Sequence, residues 1–281
     1  MISADTFSET YSSDALEKGE PFSDAQKAKL VEEFYREGWI HLENILNPIE
    51  VEALKGGMRR KYNDERLHSD EEGDHVRGVS LMRMFEFHQS FRDLIVKEPV
   101  AGLAEAILGE DCHMMAMNAL RNGHGVGIDR WHVDQGPFFP CPDEIPRHDP
   151  RLRISCYAFN ALFPLTDIDS IEHGPTQVVP GSHYSGRKPP VEDNPSFDGQ
   201  GPVSIYAKAG DVYLFHNQVW HRGAVNESQR VRYIATVAYS QRFMAQRFYP
   251  FLNYRMPEHV LEGANDRLLR MLGKHEKGSY G

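Results

Sequence analysis

A change of pattern at Gly109 constrains the fold of this 281-residue chain more than any other feature. Beyond it, short β-branched or aromatic runs alternate with Gly, Pro, Asn and Asp, which is typical of short strands joined by turns. Before it, apolar residues recur at helical spacing. The predicted strands after Gly109 span residues 113–119, 153–165, 176–179, 203–206, 211–215 and 231–240.

Helix signals dominate the first third of the chain. Ser23 is a typical N-cap, and Asn47 with Pro48 forms a cap and first-turn pair. The predicted helices span residues 24–37, 48–62, 90–108 with a break at Pro99, and 258–271, and a short strand spans 39–42. Many short strands behind a helical third predict a mainly β fold with α: a double-stranded β-helix (jelly roll, cupin-like) buttressed by the N-terminal helices.

The length suits a single domain spanning residues 1–281, with 40% hydrophobic and 26% charged residues. Residues 1–21 are expected to form a flexible lead-in. Two long connections lack strand character, at residues 136–150 and 185–201. They are candidate lid loops, because long loops in a compact barrel are usually functional or disordered.

Charge and cysteine usage disfavour several partners. A net charge of -10 and a pI of about 5.8 give no basic surface for nucleic acid or an anionic membrane. Cys112, Cys141 and Cys156 have no C-x-x-C spacing, which disfavours a disulfide framework and favours a cytoplasmic location. The N-terminus lacks the order of an export signal. The most apolar stretch, residues 154–165, is shorter than the roughly 18 residues of a membrane helix.

One H-x-D motif points to metal chemistry. Its outer residues, His132 and Asp134, lie on the same face of an extended chain, because strand side chains alternate. A histidine from a distant strand would complete two nitrogens and one oxygen on one face of an octahedron, which suits ferrous iron. A second H-x-D, at His68 and Asp70, lies among acidic residues without an apolar wall. It is interpreted as a solvated loop.

Spacing leaves the third ligand open between His216 and His221. His216 continues a predicted strand, where a buried histidine with a backbone partner is the simpler interpretation, whereas His221 opens the next segment. A dicarboxylate co-substrate would need a buried guanidinium, whose planar fork matches a carboxylate. Arg232, early in the strand VRYIATVAYS, is the candidate, and Arg230 is its rival nearer the turn.

Together these residues resemble the phytanoyl-CoA dioxygenase family of Fe(II)- and 2-oxoglutarate-dependent oxygenases. The resemblance covers residues 131–240 well and the helical third loosely. In that family the H-x-D strand is followed by P-G-S-H, a G-D strand, a distal histidine, an asparagine, and an arginine eleven residues after that histidine. The matching residues are His132, Asp134, the segment HGPTQVVPGSH at 173–183, Gly210, Asp211, His221, Asn226 and Arg232.

The resemblance implies a role for each matched residue. The implied Fe(II) ligands, and thus catalytic residues, are His132, Asp134 and His221. The eleven-residue interval favours His221 over His216 and selects Arg232 to bind 2-oxoglutarate. Thr176 matches a position that helps to bind 2-oxoglutarate in related members, and Asn118 lies on the strand before the H-x-D, where we expect an amide contact.

Three other positions qualify the match. His183, in P-G-S-H, is implied to be a turn residue or a residue that supports the ligands from behind, rather than a ligand. Many members carry a serine two residues after the distal histidine, whereas this chain has Gly223, so a hydroxyl contact from that position is in doubt. Related halogenases replace the carboxylate ligand by a small residue, and the retention of Asp134 therefore favours oxygenation.

The resemblance implies an enzyme that uses O2 and 2-oxoglutarate to hydroxylate a small-molecule metabolite or natural product. Desaturation, ring closure and epimerisation begin with the same hydrogen abstraction. One alternative is a cupin-like metalloenzyme that works without 2-oxoglutarate. Another is a non-catalytic jelly roll that binds a small molecule and holds a structural metal, although such a site is normally closed by a fourth protein ligand.

Overall fold

The structure, a computed structural model, describes residues 16–64, 76–77, 80–248 and 251–276. His68 and Asp70 of the second H-x-D lie outside the described residues. The helices are α1 (Asp24–Glu37), α2 (Pro48–Asn63), α3 (Met84–Phe87), α4 (Gln89–Ile95), α5 (Val100–Leu108), α6 (Glu258–Leu261) and α7 (Asp266–Met271). The strands are β1 (Trp39–Leu42), β2 (Val76–Arg77), β3 (Ser80–Met82), β4 (His113–Asn122), β5 (Val126–His132), β6 (Ala158–Pro164), β7 (Thr176–Val179), β8 (Val203–Ile205), β9 (Val212–His216), β10 (Trp220–Asn226) and β11 (Arg232–Ser240).

The first helix and strand have the bounds that the sequence predicts. The side chain of Ser23 accepts a hydrogen bond from the backbone N–H of Gln26, whose side chain bonds back in a capping box. Gly38 ends α1 with φ of 80°, a left-handed conformation that favours glycine. The chain thereby turns directly from α1 into β1.

Among the described residues, the strands form two antiparallel sheets. The larger has the order β1-β9-β6-β11-β4-β3-β2, and the smaller has the order β5-β10-β7-β8. From β4 to β11 the chain passes repeatedly between the two sheets. This arrangement confirms the predicted jelly roll, mainly β with helices.

Side-chain alternation along β11 divides the core into two parts. Ala235 and Val237 belong to the large cluster that also contains Phe34 of α1 and Leu54 of α2, so this face packs against the helices. Ile234 belongs to a second cluster that includes residues of both sheets. Even-numbered residues in this part of β11 therefore point into the barrel, where a site could form.

Several predicted bounds differ from the structure. The strand predicted at 153–165 begins only at Ala158, and the helix predicted at 258–271 is two short helices, α6 and α7. The segment predicted as helical at 90–108 forms α4 and α5, separated around Pro99 as expected. The strands β5 and β10 were not predicted as complete strands. Glycine interrupts each of them, at Gly127 and at Gly223.

The predicted lead-in is held to the helical layer at its described end. Leu16 is buried, and its backbone N–H donates to Asp93 at 2.9 Å. The backbone of Lys18 accepts a hydrogen bond from Glu98 at 2.9 Å. These contacts tie residues 16–18 to the helical layer, and the flexible lead-in over residues 1–21 stays a prediction. No helix within the described ranges has the length and apolarity to cross a membrane.

Candidate metal centre

The pairing of β5 with β10 brings two histidines together. His132 ends β5 and lies directly opposite His221 at the start of β10. Their ring centroids are 4.2 Å apart. Asp134 follows the end of β5, where its backbone N–H donates to Asn217 at 3.2 Å. The antiparallel register and this one backbone bond thus bring His221 together with His132 and Asp134, although His221 is remote from them in sequence.

The three side chains offer their ligand atoms to a common centre. Nε2 of His221 lies 3.5 Å and Nε2 of His132 lies 3.9 Å from Oδ1 of Asp134. Both Nδ1 atoms face backbone carbonyls, of Val219 at 2.9 Å and of Arg130 at 2.8 Å. A neutral imidazole that donates from Nδ1 leaves Nε2 as an acceptor, so both lone pairs are available to a metal.

The three side chains, His132, Asp134 and His221, shift one another's pKa values. Burial and the neighbouring His221 lower the pKa of His132. Burial acts to raise the pKa of Asp134, but the two histidines and Asn160 hold it below its ordinary value. Burial acts to lower the pKa of His221, yet the Asp134 carboxylate keeps it raised. A carboxylate that is ionised beside two imidazoles is the donor set of a divalent cation.

No fourth His, Cys, Asp or Glu ligand joins this group within the part of the chain that the structure describes. The three ligand atoms lie within 4.8 Å of one another. A structural metal site is normally closed by four protein ligands, whereas two histidines and one carboxylate leave positions open for reactants. The arrangement therefore fits non-haem ferrous iron.

Asn160, on the inner face of β6, is a functional candidate that the sequence reasoning missed. Its Nδ2 donates a hydrogen bond to Oδ2 of Asp134, whereas Oδ1 faces the Nε2 atoms of both histidines. The available signal was a single amide in the otherwise apolar strand AFNALFP. A buried polar residue in such a strand requires a partner.

His216 lies away from the metal group, on the face of β9 that is packed against α1. It is fully buried, and its ring stacks on those of His183 at 5.1 Å and Phe34 at 6.0 Å. Its Nδ1 accepts the backbone N–H of Gln218 at 3.0 Å. His183 bonds to the Tyr35 carbonyl at 3.0 Å. Both histidines thus occupy the helical interface of the large sheet.

Arg232 begins β11 and is buried, with 4% of its surface exposed. Its Nε and Nη1 have no hydrogen-bond partner among the described residues. Its rival Arg230 is exposed and contacts Asp169 and His173. A Cβ at Gly174 would lie 2.9 Å from Nη1 of Arg232, so glycine leaves room for the guanidinium. A buried guanidinium without an anion is poised to take one from a ligand.

Thr176 and Asn118 lie at opposite ends of the barrel interior. Thr176 is opposite Gly223 in the β7–β10 pair, and its hydroxyl is 2.8 Å from the Tyr213 hydroxyl. Tyr213 is close enough to Arg232 for the guanidinium to oppose the rise that burial causes in its pKa. Asn118 instead lines a cavity of about 270 Å³ together with Asp134.

A second cavity, of about 630 Å³, also reaches His132 and Asp134. Its far wall is formed by residues 188–193 of the 185–201 loop. The two long loops are joined by Arg187, whose guanidinium donates to three carbonyls of the other loop. The acceptors are Pro142 at 2.6 Å, Ile145 at 2.5 Å and Pro146 at 2.9 Å. Both loops therefore border the metal group and contact each other.

Comparison with known proteins gives a family match across this region. The sequence model of the phytanoyl-CoA dioxygenase (PhyH) family matches residues 34–234. An ectoine dioxygenase from Nocardia farcinica is 26% identical over 227 residues, which cover 69% of this chain and 70% of that protein. Dioxygenase af480 from Aspergillus fumigatus is 22% identical over 246 residues, covering 84% and 73% respectively.

Solved structures share the fold. The epimerase SnoN from nogalamycin biosynthesis, in complex with Fe3+, α-ketoglutarate and nogalamycin RO, has a TM-score of 0.61 at 21% identity. That match covers 84% of this chain and 94% of SnoN. HygX from Streptomyces hygroscopicus, with nickel and 2-oxoglutarate bound, has a TM-score of 0.58 at 16% identity. That match covers 80% of this chain and 89% of HygX.

Proposed function

The chain belongs to the phytanoyl-CoA dioxygenase family, and from that premise we propose that it is an Fe(II)- and 2-oxoglutarate-dependent dioxygenase acting on a small-molecule metabolite. One observation carries the proposal. Three convergent ligand atoms with no fourth protein ligand in the described chain share the barrel with the buried, unpaired guanidinium of Arg232. The first feature suits iron, and the second suits a dicarboxylate.

His132, Asp134 and His221 hold the iron. Iron bound there supplies the activation of O2 and the oxidising power for attack on a C–H bond. Asn160 keeps one oxygen of Asp134 engaged, so that the carboxylate presents its other oxygen to the metal. The carbonyl partners of both Nδ1 atoms fix the rings in the orientation that binds metal.

Arg232 binds the far carboxylate of 2-oxoglutarate inside the barrel. The negative carboxylate pairs with the guanidinium and so offsets the desolvation cost of burying an unpaired cation, which is on the order of several kcal/mol. Thr176 lies at the Arg232 end of the barrel, where it is bonded to Tyr213. Its hydroxyl is a further donor for the co-substrate. Asn118 faces the Asp134 cavity and contacts the co-substrate or the substrate from the metal end.

The substrate enters at the metal end, where both cavities meet Asp134. Residues 136–150 and 185–201 serve as lids that exclude water during the reaction. Hydroxylation is the proposed outcome, in keeping with a family whose similar members include ectoine dioxygenases. The free cysteines fit a reducing cytoplasm, and the net charge of -10 favours small-molecule partners over nucleic acid or an anionic membrane.

The test follows succinate formation from 2-oxoglutarate in air with ferrous iron, with and without candidate small metabolites. We expect iron-dependent succinate, increased by the true substrate. A cupin-like enzyme that works without 2-oxoglutarate would oxidise a substrate and consume O2 but form no succinate. A jelly roll with a structural metal would hold the metal and consume neither O2 nor 2-oxoglutarate.

A further inference from the structure

Asn122, at the end of β4, has a side chain that the barrel buries without satisfying it. None of its surface is exposed, and neither Nδ2 nor Oδ1 has a hydrogen-bond partner among the described residues. Its backbone carbonyl is bonded, to Nδ2 of Asn226 at 3.0 Å. Buried amides are almost always paired, so two orphaned atoms in one side chain indicate a missing ligand.

Asn122 lies directly opposite Arg232 in the antiparallel pairing of β4 with β11. Opposed residues on neighbouring strands share one face, with Cβ atoms about 4.5–5.5 Å apart. The next pair along, Leu120 and Ile234, packs in the cluster between the two sheets. Asn122 and Arg232 therefore both face the barrel interior, and both carry unpartnered buried nitrogen atoms.

The other groups around Arg232 leave the Asn122 amide without a protein partner. The Tyr213 hydroxyl is already paired with Thr176, and Gly223 supplies no side chain beside the guanidinium. A carboxylate bound to Arg232 could accept a hydrogen bond from Nδ2 of Asn122, and Oδ1 could in turn accept one from the guanidinium. An anion bound by both side chains, together with that bond between them, would thus satisfy the orphaned atoms of both residues.

We propose that Asn122 is a second recognition residue for the far carboxylate of the 2-oxo dicarboxylate co-substrate. The inference rests on the proposed function, because it takes Arg232 to be the carboxylate anchor. Arg232 supplies the charge, and Asn122 supplies a neutral donor from the opposite strand. The pair therefore selects a carboxylate at that position over an uncharged chain end.

The test compares Asn122→Leu with the wild type by anaerobic calorimetric titration of 2-oxoglutarate into the iron-loaded protein. We expect the Kd to rise about 10-fold, since a good hydrogen bond to a charged group is lost. The ligand-free protein should melt about 2–4 °C higher, because leucine removes two unsatisfied buried atoms. Arg121→Met, the neighbouring residue on the opposite face of β4, is the control that should leave the Kd unchanged.

Two further variants make the test specific to this geometry. Asn122→Asp places a carboxylate opposite Arg232, and we expect it to block 2-oxoglutarate binding by at least about 10-fold. A Cβ at position 223 would be 3.8 Å from Nη2 of Arg232. Gly223→Ser should therefore restore part of the affinity that Asn122→Leu loses.

The outcomes separate this inference from the proposed function. A wild-type protein that does not bind 2-oxoglutarate contradicts the proposed function itself. Where the wild type binds it, an unchanged Kd in Asn122→Leu, or a lower melting temperature of that variant without ligand, overturns the role of Asn122. In the latter case the amide is a structural group satisfied by ordered water.

Discussion

Nε2 of His221 lies 3.5 Å from Oδ1 of Asp134, although His221 belongs to β10 and Asp134 to the segment that follows β5. His221 is placed by its register with His132, and Asp134 by its backbone bond to Asn217. The backbone therefore sets the distance before any metal binds. Such preorganisation lets a metal bind without rearrangement of the strands.

The choice between the two candidate histidines can be tested by removing each. His221→Ala should lower iron affinity by more than about 100-fold, since loss of a direct ligand exceeds the cost of losing an outer-shell partner. His216→Ala should retain iron, because His216 stacks on Phe34 in the helical interface. The measurement is the amount of iron per folded chain, by elemental analysis. Circular dichroism serves as the folding control. Iron loss in His216→Ala and retention in His221→Ala would reverse the assignment.

Asn160 is expected to orient Asp134 for the metal. Asn160→Leu keeps the volume but removes the bond to Oδ2, and we expect iron affinity to fall about 10–100-fold with little change in folding. Thr236→Val provides the matched control, because Thr236 lines the same cavity but bonds to the Asn118 backbone. Equal iron affinity in Asn160→Leu and the wild type, by competition with a chelator, would refute the orienting role.

Arg187 is expected to make the two candidate lid loops move together. Arg187→Ala removes the hydrogen bonds to Pro142, Ile145 and Pro146, so amide exchange across residues 136–150 should become faster. Lys188→Ala, at the exposed neighbouring position, should leave exchange unchanged. Hydrogen exchange followed by mass spectrometry gives the comparison. Unaltered exchange in Arg187→Ala would mean that other contacts hold the loop.

The buried pair His183 and His216 should make the stability of the fold sensitive to acid. Burial lowers the pKa of His183 from 6.5 to about 4 and holds that of His216 well below its ordinary value. Both rings are neutral when folded, so the unfolded chain takes up protons first as the pH falls. The stability is full above pH 6.5 and is lost progressively toward pH 4, by up to about 3 kcal/mol for His183.

Urea unfolding at a series of pH values measures this loss. His183→Gln removes one titrating ring, so its unfolding free energy should fall less steeply than that of the wild type below pH 6.5. If the unfolding free energies of the two proteins fall in parallel with pH, His183 is excluded as a source of the acid sensitivity.

Much of the fold follows from local signals in the sequence. The cap at Ser23 and the stop at Gly38 fix α1, and the alternation in VRYIATVAYS indicates β11. The H-x-D motif and the interval from His221 to Arg232 select four residues that the fold brings into one barrel. These features are predictable because each depends on neighbours in sequence or on a short ordered motif.

The missed features depend on contacts between distant strands. Asn160 and Asn122 look like ordinary strand residues until β6 is seen to face Asp134 and β4 to face Arg232. The division between His216 and His221 likewise depends on which face of each strand packs against α1. A sequence gives residue order alone, whereas these positions depend on which strands pair and on which face of each strand packs.

In the proposed function, His132, Asp134 and His221 hold iron, and Arg232 binds the far carboxylate of 2-oxoglutarate. The most direct test of that function is an anaerobic absorption titration of the Fe(II)-loaded protein with 2-oxoglutarate. The wild type and Arg230→Leu should develop a visible charge-transfer band that saturates at about one equivalent, whereas Arg232→Leu should need at least about 100-fold more ligand. No band in the iron-loaded wild type, or equal affinity in Arg232→Leu, would contradict the account.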